Sequence, residues 1–181
     1  MSSSNNPHAS LLQPGRIGKM DLKNRIVMAP MGENFGGDDG LCGEKTQAYY
    51  EERAAGGTGL IIMGTAAVSW PTGTSEPHQL GISTDDFIPG LAEVTRRVHA
   101  HGGKVAIQIN HSGKVAAHDR ACGREMWVSS IPPAAPVPDA MRTITPKEFS
   151  TFVGVGPHPE RYRVMDKADI EQMIEWYAAA A

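Results

Sequence analysis

Two amide side chains interrupt an otherwise apolar, strand-like segment at residues 104–110. At a period of two residues, Gln108 and Asn110 share one face of this strand. A buried amide without a hydrogen-bonding partner costs about 1–3 kcal/mol, so both amides require one. The partner is either a polar ligand at the C-terminal end of a buried parallel strand or a neighbouring loop of the chain. We expect Gln108 on the inner, ligand-facing side of the strand and Ile107 and Ile109 on the helix-facing side.

The composition describes an ordinary soluble chain. Its 181 residues are 40% hydrophobic and carry a formal net charge of −3, which gives no reason to expect nucleic acid or an anionic membrane as a partner. Cys42 and Cys122 lie far apart and have no histidine at metal-ligand spacing, so neither a metal site nor a disulfide is predicted. The sequence shows no secretion signal and no membrane-spanning run. These observations indicate a reducing, cytoplasmic location.

Strand-like and helix-like segments alternate along the chain. Residues 1–10 are predicted to be a disordered tail, and residues 16–25 a short β-hairpin. Three buried strands are predicted at residues 25–31, 59–65 and 104–110, each followed by a helix. A loop without a phosphate-binding motif is predicted after the first strand, and a loop bearing Pro71, Gly73 and Pro77 is predicted after the second. A proline-rich connection of unusual length, at about residues 111–165, separates the third strand from its helix.

Capping residues and apolar stripes define the three predicted helices. Thr46 is the predicted N-cap of the first, Asp85 or Asp86 of the second, and Asp166 of the third. The second helix has Pro89 in its first turn and an apolar stripe of Ile88, Leu91, Ala92, Thr95 and Val98. The third helix has an apolar stripe of Ile170, Met173, Ile174, Tyr177, Ala178 and Ala181. No C-cap follows this last stripe, which indicates a truncated chain.

The alternation predicts an α/β fold with parallel strands. A doubly wound sheet and a (β/α)8 barrel, also called a TIM barrel, both fit this pattern. The barrel is favoured because each predicted strand ends in site-like residues, at 29–32, 64–65 and 108–110. A complete barrel needs about 250 residues. Residues 11–181 are therefore predicted to form only its first three βα units, an incomplete domain that follows the hairpin.

Five motifs carry a resemblance to a known family. They span residues 22–32, 49–57, 59–62, 88–91 and 108–114. In these motifs the chain resembles the N-terminal portion of the Old Yellow Enzyme family of FMN-dependent NADH:flavin oxidoreductases, within the branch of 2,4-dienoyl-CoA reductase and 2-enoate reductase. The resemblance implies that NADH or NADPH reduces a bound FMN, and that hydride then passes to a small-molecule substrate with an activated alkene, an enone or enoyl thioester.

The same resemblance assigns expected roles to individual residues. It implies flavin contacts for Ala29, Pro30, Met31, Gly32, Thr65 and Gln108, and substrate-side positions for Asn110 and His111. Gln108 would hydrogen-bond the pyrimidine edge of the flavin, because a glutamine amide can pair with both donors and acceptors. Backbone groups of residues 29–32 would contact the ring without adding charge. For His111, a structural role is an equal alternative to a catalytic one.

Several features of the family are altered or missing in this sequence. Gly32 stands where several members have threonine or cysteine, and Lys114 stands where arginine is usual. The connection after Pro138 is longer than in close relatives. Its least polar part, residues 149–157, is either a flap for a substrate or partner or a surface insertion without a function. The family's catalytic and phosphate-binding groups follow the third helix, so the catalytic residues are unassigned. An iron–sulfur cluster, FAD or a homo-oligomer would belong to a longer parent chain.

Three functional alternatives follow from the sequence. The first is the N-terminal part of an FMN-dependent ene-reductase, with these 181 residues inactive on their own. The second is a non-catalytic barrel fragment or interaction subunit. The third is a different (β/α)8 enzyme that binds a sugar phosphate.

Overall fold

The computed structural model describes residues 8–132, 145 and 160–181, and its centre is a parallel sheet. Strand β4 (Leu60–Ala67) lies in the middle and pairs along one edge with β6 (Lys104–Asn110). Its other edge pairs at one end with β3 (Val27–Met28) and at the other end with β5 (Leu80–Gly81). All of these pairings are parallel, as predicted for the three strands. β5 lies in a segment that was predicted to be a loop.

The predicted hairpin is present, but the strand after it is shorter than expected. β1 (Gly15–Ile17) and β2 (Met20–Leu22) pair antiparallel. The prediction of a strand over residues 25–31 was wrong in length, because only two residues pair with β4. Before the paired residues, the Asn24 side chain accepts a hydrogen bond from the backbone N–H of Ile26. After them, Pro30 has no N–H to donate to a sheet.

Two helices cover one face of the sheet. Helix α1 (Glu44–Ala55) precedes β4, and helix α2 (Ile88–Ala100) precedes β6. The core between helices and sheet consists of Cys42, Tyr50, Ala54, Ile61, Met63, Ala66, Leu80, Val94 and Val98. Val105 and Ile107 of β6 pack against it, so Ile107 lies on the predicted helix-facing side.

Two capping predictions were wrong in position. α1 begins at Glu44 after an extended Gly43, and the N–H of Gln47 donates to the carbonyl of Gly43. Thr46 is therefore a buried residue inside the helix and not its N-cap. α2 begins after a 3-10 turn at Asp85–Phe87, so neither aspartate caps it. The turn forms its own hydrogen bond, from the N–H of Phe87 to the carbonyl of Thr84.

The predicted apolar stripe of α2 was correct only in part. Pro89 lies in the first turn, as predicted, and Val98 is buried. Val94, which the stripe omitted, is also fully buried, whereas Ile88 is 56% exposed. The face of α2 that packs on the sheet is thus centred closer to Val94 than the predicted stripe was.

The connection after β6 contains regular structure in its described parts. A 3-10 turn (Gly113–Val115) and a short helix α3 (Ala117–Ala121) lead to β7 (Met126–Val128). β7 pairs in parallel with β8 (Tyr162–Val164). Residues 1–7 of the predicted tail and the apolar segment 149–157 lie outside the described residues, whereas Ala9–Leu11 form a 3-10 turn.

Helix α4 (Lys167–Ala180) begins as predicted but is only partly covered. Asp166 is its N-cap, and the carboxylate of Asp166 accepts a hydrogen bond from the N–H of Asp169 at 2.9 Å. Tyr177 is half-buried in the described part of the chain. Ile170 and Ile174 of the predicted stripe are 47% and 63% exposed.

The two cysteines occupy opposite environments. Cys42 is buried in the core, and burial raises the pKa of its thiol to about 12. Cys122 is exposed, with its Sγ 3.7 Å from Nε2 of His118. The prediction that neither cysteine has a histidine at suitable spacing was therefore wrong for Cys122, because His118 lies one helical turn before it. Among the described residues no cluster of three or more histidine, cysteine or acidic side chains could hold a metal ion. No helix in these same ranges is long and apolar enough to cross a membrane.

Candidate functional site

The residues expected to face a flavin lie at one end of the sheet, and four of the six are exposed there. The chain leaves the sheet directly after β3, where Ala29 and Gly32 are exposed and Met31 is 54% exposed. This exit segment lies tightly against β4, because a Cβ on Gly64 would overlap the carbonyl oxygen of Met31. Only glycine at position 64 therefore allows the two strand ends to meet so closely.

A β-bulge in β4 lies opposite Gln108. β6 contributes only Gln108 between its pairings at Ile107 and Ile109, whereas β4 contributes both Gly64 and Thr65 over the same interval. Two residues opposite one is the arrangement of a β-bulge, which bends the strand and redirects a side chain. The bulge brings Thr65 and Gln108, two of the predicted flavin contacts, to the same height in the sheet.

The bulge also determines which face Thr65 occupies. In an unbroken strand, Thr65 would share the helix-facing side with Ile61 and Met63. In the structure Ala66 takes that side and packs in the core. Thr65, which is half-buried, consequently lies on the inner face, as Gln108 does.

The two amides of β6 have different surroundings. Gln108 is exposed on the inner face beside Ala106, and its side chain has no hydrogen-bond partner in the part of the chain that the structure describes. Asn110 is half-buried and donates from Nδ2 to Oγ of Ser112 at 3.0 Å. The neighbouring loop thus supplies the partner of Asn110, whereas Gln108 keeps an unpaired polar edge.

His111 lies in an aromatic cluster after β6. Its ring stacks on Trp176 with 6.3 Å between centroids, and its backbone N–H donates to the hydroxyl of Tyr177 at 2.9 Å. Its Nδ1 accepts a hydrogen bond from the N–H of Gly113, which places the ring proton of the neutral form on Nε2. Burial lowers the pKa of this imidazole, so the neutral form predominates at neutral pH.

A cavity of about 510 Å³ lies beside this cluster. Its lining includes His111, Lys114, Trp127, Ser129, Met173 and Tyr177. Apolar and aromatic walls with a few polar groups suit a small organic ligand. Of the two substrate-side candidates, His111 lines this cavity, whereas Asn110 is not part of its lining.

Three residues near the β4 bulge were missed by the sequence reasoning. The hydroxyl of Tyr50 accepts a hydrogen bond from the N–H of Gly64 at 2.8 Å and donates to Oε2 of Glu33 at 3.2 Å. One oxygen of Glu33 and one of Glu76 are buried without a partner among the described residues. Burial raises the pKa of both carboxyl groups, and the charge of Glu76 raises that of Glu33 further. Tyr50 lies in a family motif, but both glutamates lie in predicted loops.

Asp119 is a further residue that the sequence reasoning missed. Its side chain is 1% exposed, and Oδ2 accepts a hydrogen bond from the N–H of Gly73 at 2.7 Å. Oδ1 pairs with Nε of Arg124 at 2.8 Å. Asp119 therefore ties the loop after β4 to the connection after β6, which steadies the chain close to His111.

The exposed end of the sheet fits the flavin that the resemblance implies. The isoalloxazine ring of FMN is flat and carries donors and acceptors on its pyrimidine edge. The unpaired amide of Gln108 offers a donor and an acceptor. The exposed segment at residues 29–32 has small or apolar side chains, so it can approach a flat ring closely. The residues present are thus compatible with a bound flavin ring.

Comparisons with known proteins point to the same family. The sequence profile of the NADH:flavin oxidoreductase / NADH oxidase family matches residues 10–181. The NADH oxidase of Thermoanaerobacter brockii is 32% identical over 172 residues, which are 95% of this chain and 23% of the oxidase. The NADPH dehydrogenase of Halalkalibacterium halodurans is 49% identical over 100 residues, which are 54% of this chain and 29% of the dehydrogenase.

The fold has a counterpart among solved structures. The old yellow enzyme homologue from Zymomonas mobilis superimposes with a TM-score of 0.73 at 27% sequence identity, over 95% of this chain and 44% of the homologue. That protein is a TIM barrel, so the sheet and helices described above are part of an α/β barrel and not of a doubly wound sheet. The chain spans less than half the length of each of these relatives.

Proposed function

Because the chain belongs to the NADH:flavin oxidoreductase / NADH oxidase family, we propose that it forms the flavin-facing part of an FMN-dependent ene-reductase. In this proposal, FMN supplies two-electron chemistry, in which hydride from NADH or NADPH reaches an activated alkene such as an enone or enoyl thioester. The observation that carries the proposal is the unpaired amide of Gln108 opposite the β4 bulge. The branch of 2,4-dienoyl-CoA reductase and 2-enoate reductase is part of the same proposal.

We assign the described elements to the first three units of a (β/α)8 barrel. The units are β3 with α1, β4 with α2, and β6 with α4. The parallel order β3, β4, β6 supports this assignment, as does the position of α1 and α2 between successive strands. In a TIM barrel the C-terminal ends of the strands carry the site, and this is the end where residues 29–32, Thr65 and Gln108 lie.

The proposed roles follow from what each group can offer. Gln108 would orient the pyrimidine edge of the ring by donating and accepting hydrogen bonds. Thr65 would limit how far the ring can move across the inner face. The backbone of residues 29–32 would contact the ring with neutral groups, which influence the electronics of the cofactor without adding a formal charge.

His111 and Asn110 are proposed to act on the substrate side. The neutral imidazole of His111 carries a proton on Nε2, which is buried without a partner among the described residues and is a donor suited to the oxygen of a polarised carbonyl. The hydrogen bond from Gly113 holds the ring in one tautomer. Asn110 would act indirectly, because its amide already binds Ser112 and so fixes the turn that carries His111. The proton donor of the reaction stays unassigned.

The experiment that tests the flavin assignment is a titration of the 181-residue chain with FMN and with riboflavin, followed by flavin fluorescence. The residues assigned here face the ring and not the phosphate. Riboflavin, which lacks the phosphate, should therefore bind about as well as FMN. We expect weak binding of both flavins and no appreciable NADH consumption with an enone, because Gln108 and residues 29–32 are exposed on an open face.

Other outcomes would favour the other functions. Displacement of FMN by ribose 5-phosphate would indicate a phosphate site and a sugar-phosphate enzyme. Binding of neither flavin would contradict the flavin-facing assignment of Gln108. Tight, stoichiometric FMN binding with steady turnover would show that these residues are a self-sufficient enzyme. Tight binding without turnover would favour a non-catalytic flavin-binding subunit.

A further inference from the structure

A hydrogen-bonded brace spans from α1 to the β4 bulge. It consists of Tyr50 on α1, Gly64 in the bulge and Glu33 in the loop after β3. The N–H of Gly64 donates to the hydroxyl oxygen of Tyr50 at 2.8 Å, and the hydroxyl proton of Tyr50 donates to Glu33 at 3.2 Å. A tyrosine hydroxyl has a single proton, so the two hydrogen bonds run in one direction along the brace.

Gly64 depends on this brace because the bulge interrupts the β4–β6 ladder at its position. Gly64 is buried, and a buried N–H without an acceptor is destabilising. A larger residue is excluded by the carbonyl of Met31, so no side chain at position 64 can supply the acceptor. The hydroxyl of Tyr50, a residue that is 0% exposed, provides it instead.

The brace has a consequence for the neighbouring residue. A strand that lost its bulge would return to strict alternation, and every residue beyond the bulge would exchange faces. Thr65 would then lie on the helix-facing side, where Ala66 packs in the present structure. Gln108 would remain on the inner face, but Thr65 would no longer lie beside it.

We propose that Tyr50 and Glu33 are positioning residues for the flavin site, because together they hold the bulge that keeps Thr65 on the inner face opposite Gln108. This inference deepens the proposed function and rests on it for the identity of the ligand. The proposal assigns no ligand contact to Tyr50 or Glu33. Their effect is transmitted through the N–H of Gly64.

The test compares Tyr50→Phe with Tyr49→Phe in the full chain. Tyr50→Phe removes only the hydroxyl of the brace. Tyr49 is the adjacent residue on α1, and its hydroxyl makes no hydrogen bond to the described residues, so Tyr49→Phe is the matched control. Three quantities are measured in both variants: hydrogen exchange of the Gly64 amide, the methyl chemical shift of Thr65, and the dissociation constant of FMN by fluorescence.

We expect Tyr50→Phe to accelerate exchange of the Gly64 amide by about two- to tenfold, the range for loss of one net hydrogen bond. The Thr65 methyl signal should shift, and FMN should bind more weakly by a similar factor. Tyr49→Phe should leave all three quantities unchanged.

A second pair of variants tests the other end of the brace. Glu33→Gln keeps an acceptor oxygen for Tyr50, whereas Glu33→Leu removes it. Protection of Gly64, the Thr65 shift and FMN affinity should therefore be retained in Glu33→Gln and reduced in Glu33→Leu. This pair provides the same comparison if Tyr50→Phe fails to fold.

The possible results separate the brace from the proposed function. Equal effects of Tyr50→Phe and Tyr49→Phe on Gly64 would overturn the brace. Faster exchange at Gly64 with unchanged FMN affinity would overturn the positioning role. Absence of FMN binding in the unchanged chain would refute the flavin function and the positioning role with it, while the Gly64 measurement would still establish or refute the brace.

Discussion

The region formed by β4, α1 and α2 and the C-terminal helix α4 differ in how far their apolar residues are covered. In the first region, Ile61 of β4 and Val94 and Val98 of α2 belong to one core cluster and are fully buried. On α4, Ile170 and Ile174 are 47% and 63% exposed. Both regions show a helical apolar stripe in the sequence. A stripe therefore predicts which residues share a face, whereas burial depends on what the rest of the chain places against that face.

The largest contrast should appear when one isoleucine in each region is truncated. Ile61→Ala should lower the free energy of unfolding by about 2–5 kcal/mol, because it leaves a cavity in a core where Ile61 is 0% exposed. Ile174→Ala should change it by less than about 0.5 kcal/mol, because the side chain already contacts water. Urea unfolding followed by tryptophan fluorescence and circular dichroism measures both values.

A large decrease in the free energy of unfolding for Ile174→Ala would contradict the expected difference between the two regions. It would mean that the exposed face of α4 is covered in solution, and sedimentation of the unchanged chain at several concentrations would then identify self-association as the cause.

An intermediate effect is expected at Gln108, which lies in β6 opposite the bulge of β4. Gln108→Leu should weaken FMN binding by about 1–3 kcal/mol, because polar atoms of the flavin would lose their partner. The matched control is Gln172→Leu, the same chemical change on the exposed surface of α4. A fluorescence titration compares the two variants. The assigned role of Gln108 would be wrong if both variants retained the affinity of the unchanged chain.

The smallest expected effect is a pH dependence that arises in the region of β4, α1 and α2. Burial raises the pKa of Glu33 in the folded chain, with a further increase from the charge of Glu76. As the pH rises above the ordinary carboxyl pKa, the unfolded chain loses this proton first, so the folded chain binds more protons. The free energy of unfolding should therefore fall from the ordinary carboxyl pKa up to the raised pKa of Glu33.

Glu33→Gln removes this titration and should flatten that part of the stability profile. Tyr50, Glu76 and Cys42 are the other titratable groups that interact with Glu33, and the substitution leaves all three in place. Glu171→Gln on exposed α4 serves as the control. Identical pH profiles for the two variants would show that Glu33 does not titrate as the structure indicates.

The sequence predicts the larger elements well because apolar periodicity determines them. The hairpin, the order of the three strands and the N-cap at Asp166 all agree with the structure. Strict alternation over residues 59–65, in contrast, places Thr65 on the same side as Ile61, and only the bulge moves it. At the bulge, Gly64 approaches the carbonyl of Met31 closely, and the chain makes this contact only after it has folded.

Sequence reasoning identified some of the site residues and missed others. Residues 29–32, Thr65 and Gln108 came from a resemblance, and their roles toward FMN stay predictions. The brace was missed because its members are separated in sequence, with Glu33 and Tyr50 joined across 17 positions. Thr46 was wrongly predicted as an N-cap because a threonine before an apolar stripe is a good local candidate, whereas the extended backbone of Gly43 starts the helix.

The contrast between the two cysteines makes the chain suited to labelling at a single position. Only thiolates react quickly with maleimides, and the raised pKa keeps buried Cys42 protonated at neutral pH. Cys122 is exposed at the end of α3, in the connection that leads toward the His111 cavity. A fluorescent or spin probe attached to the unmodified chain at pH 7 should therefore report from that connection alone.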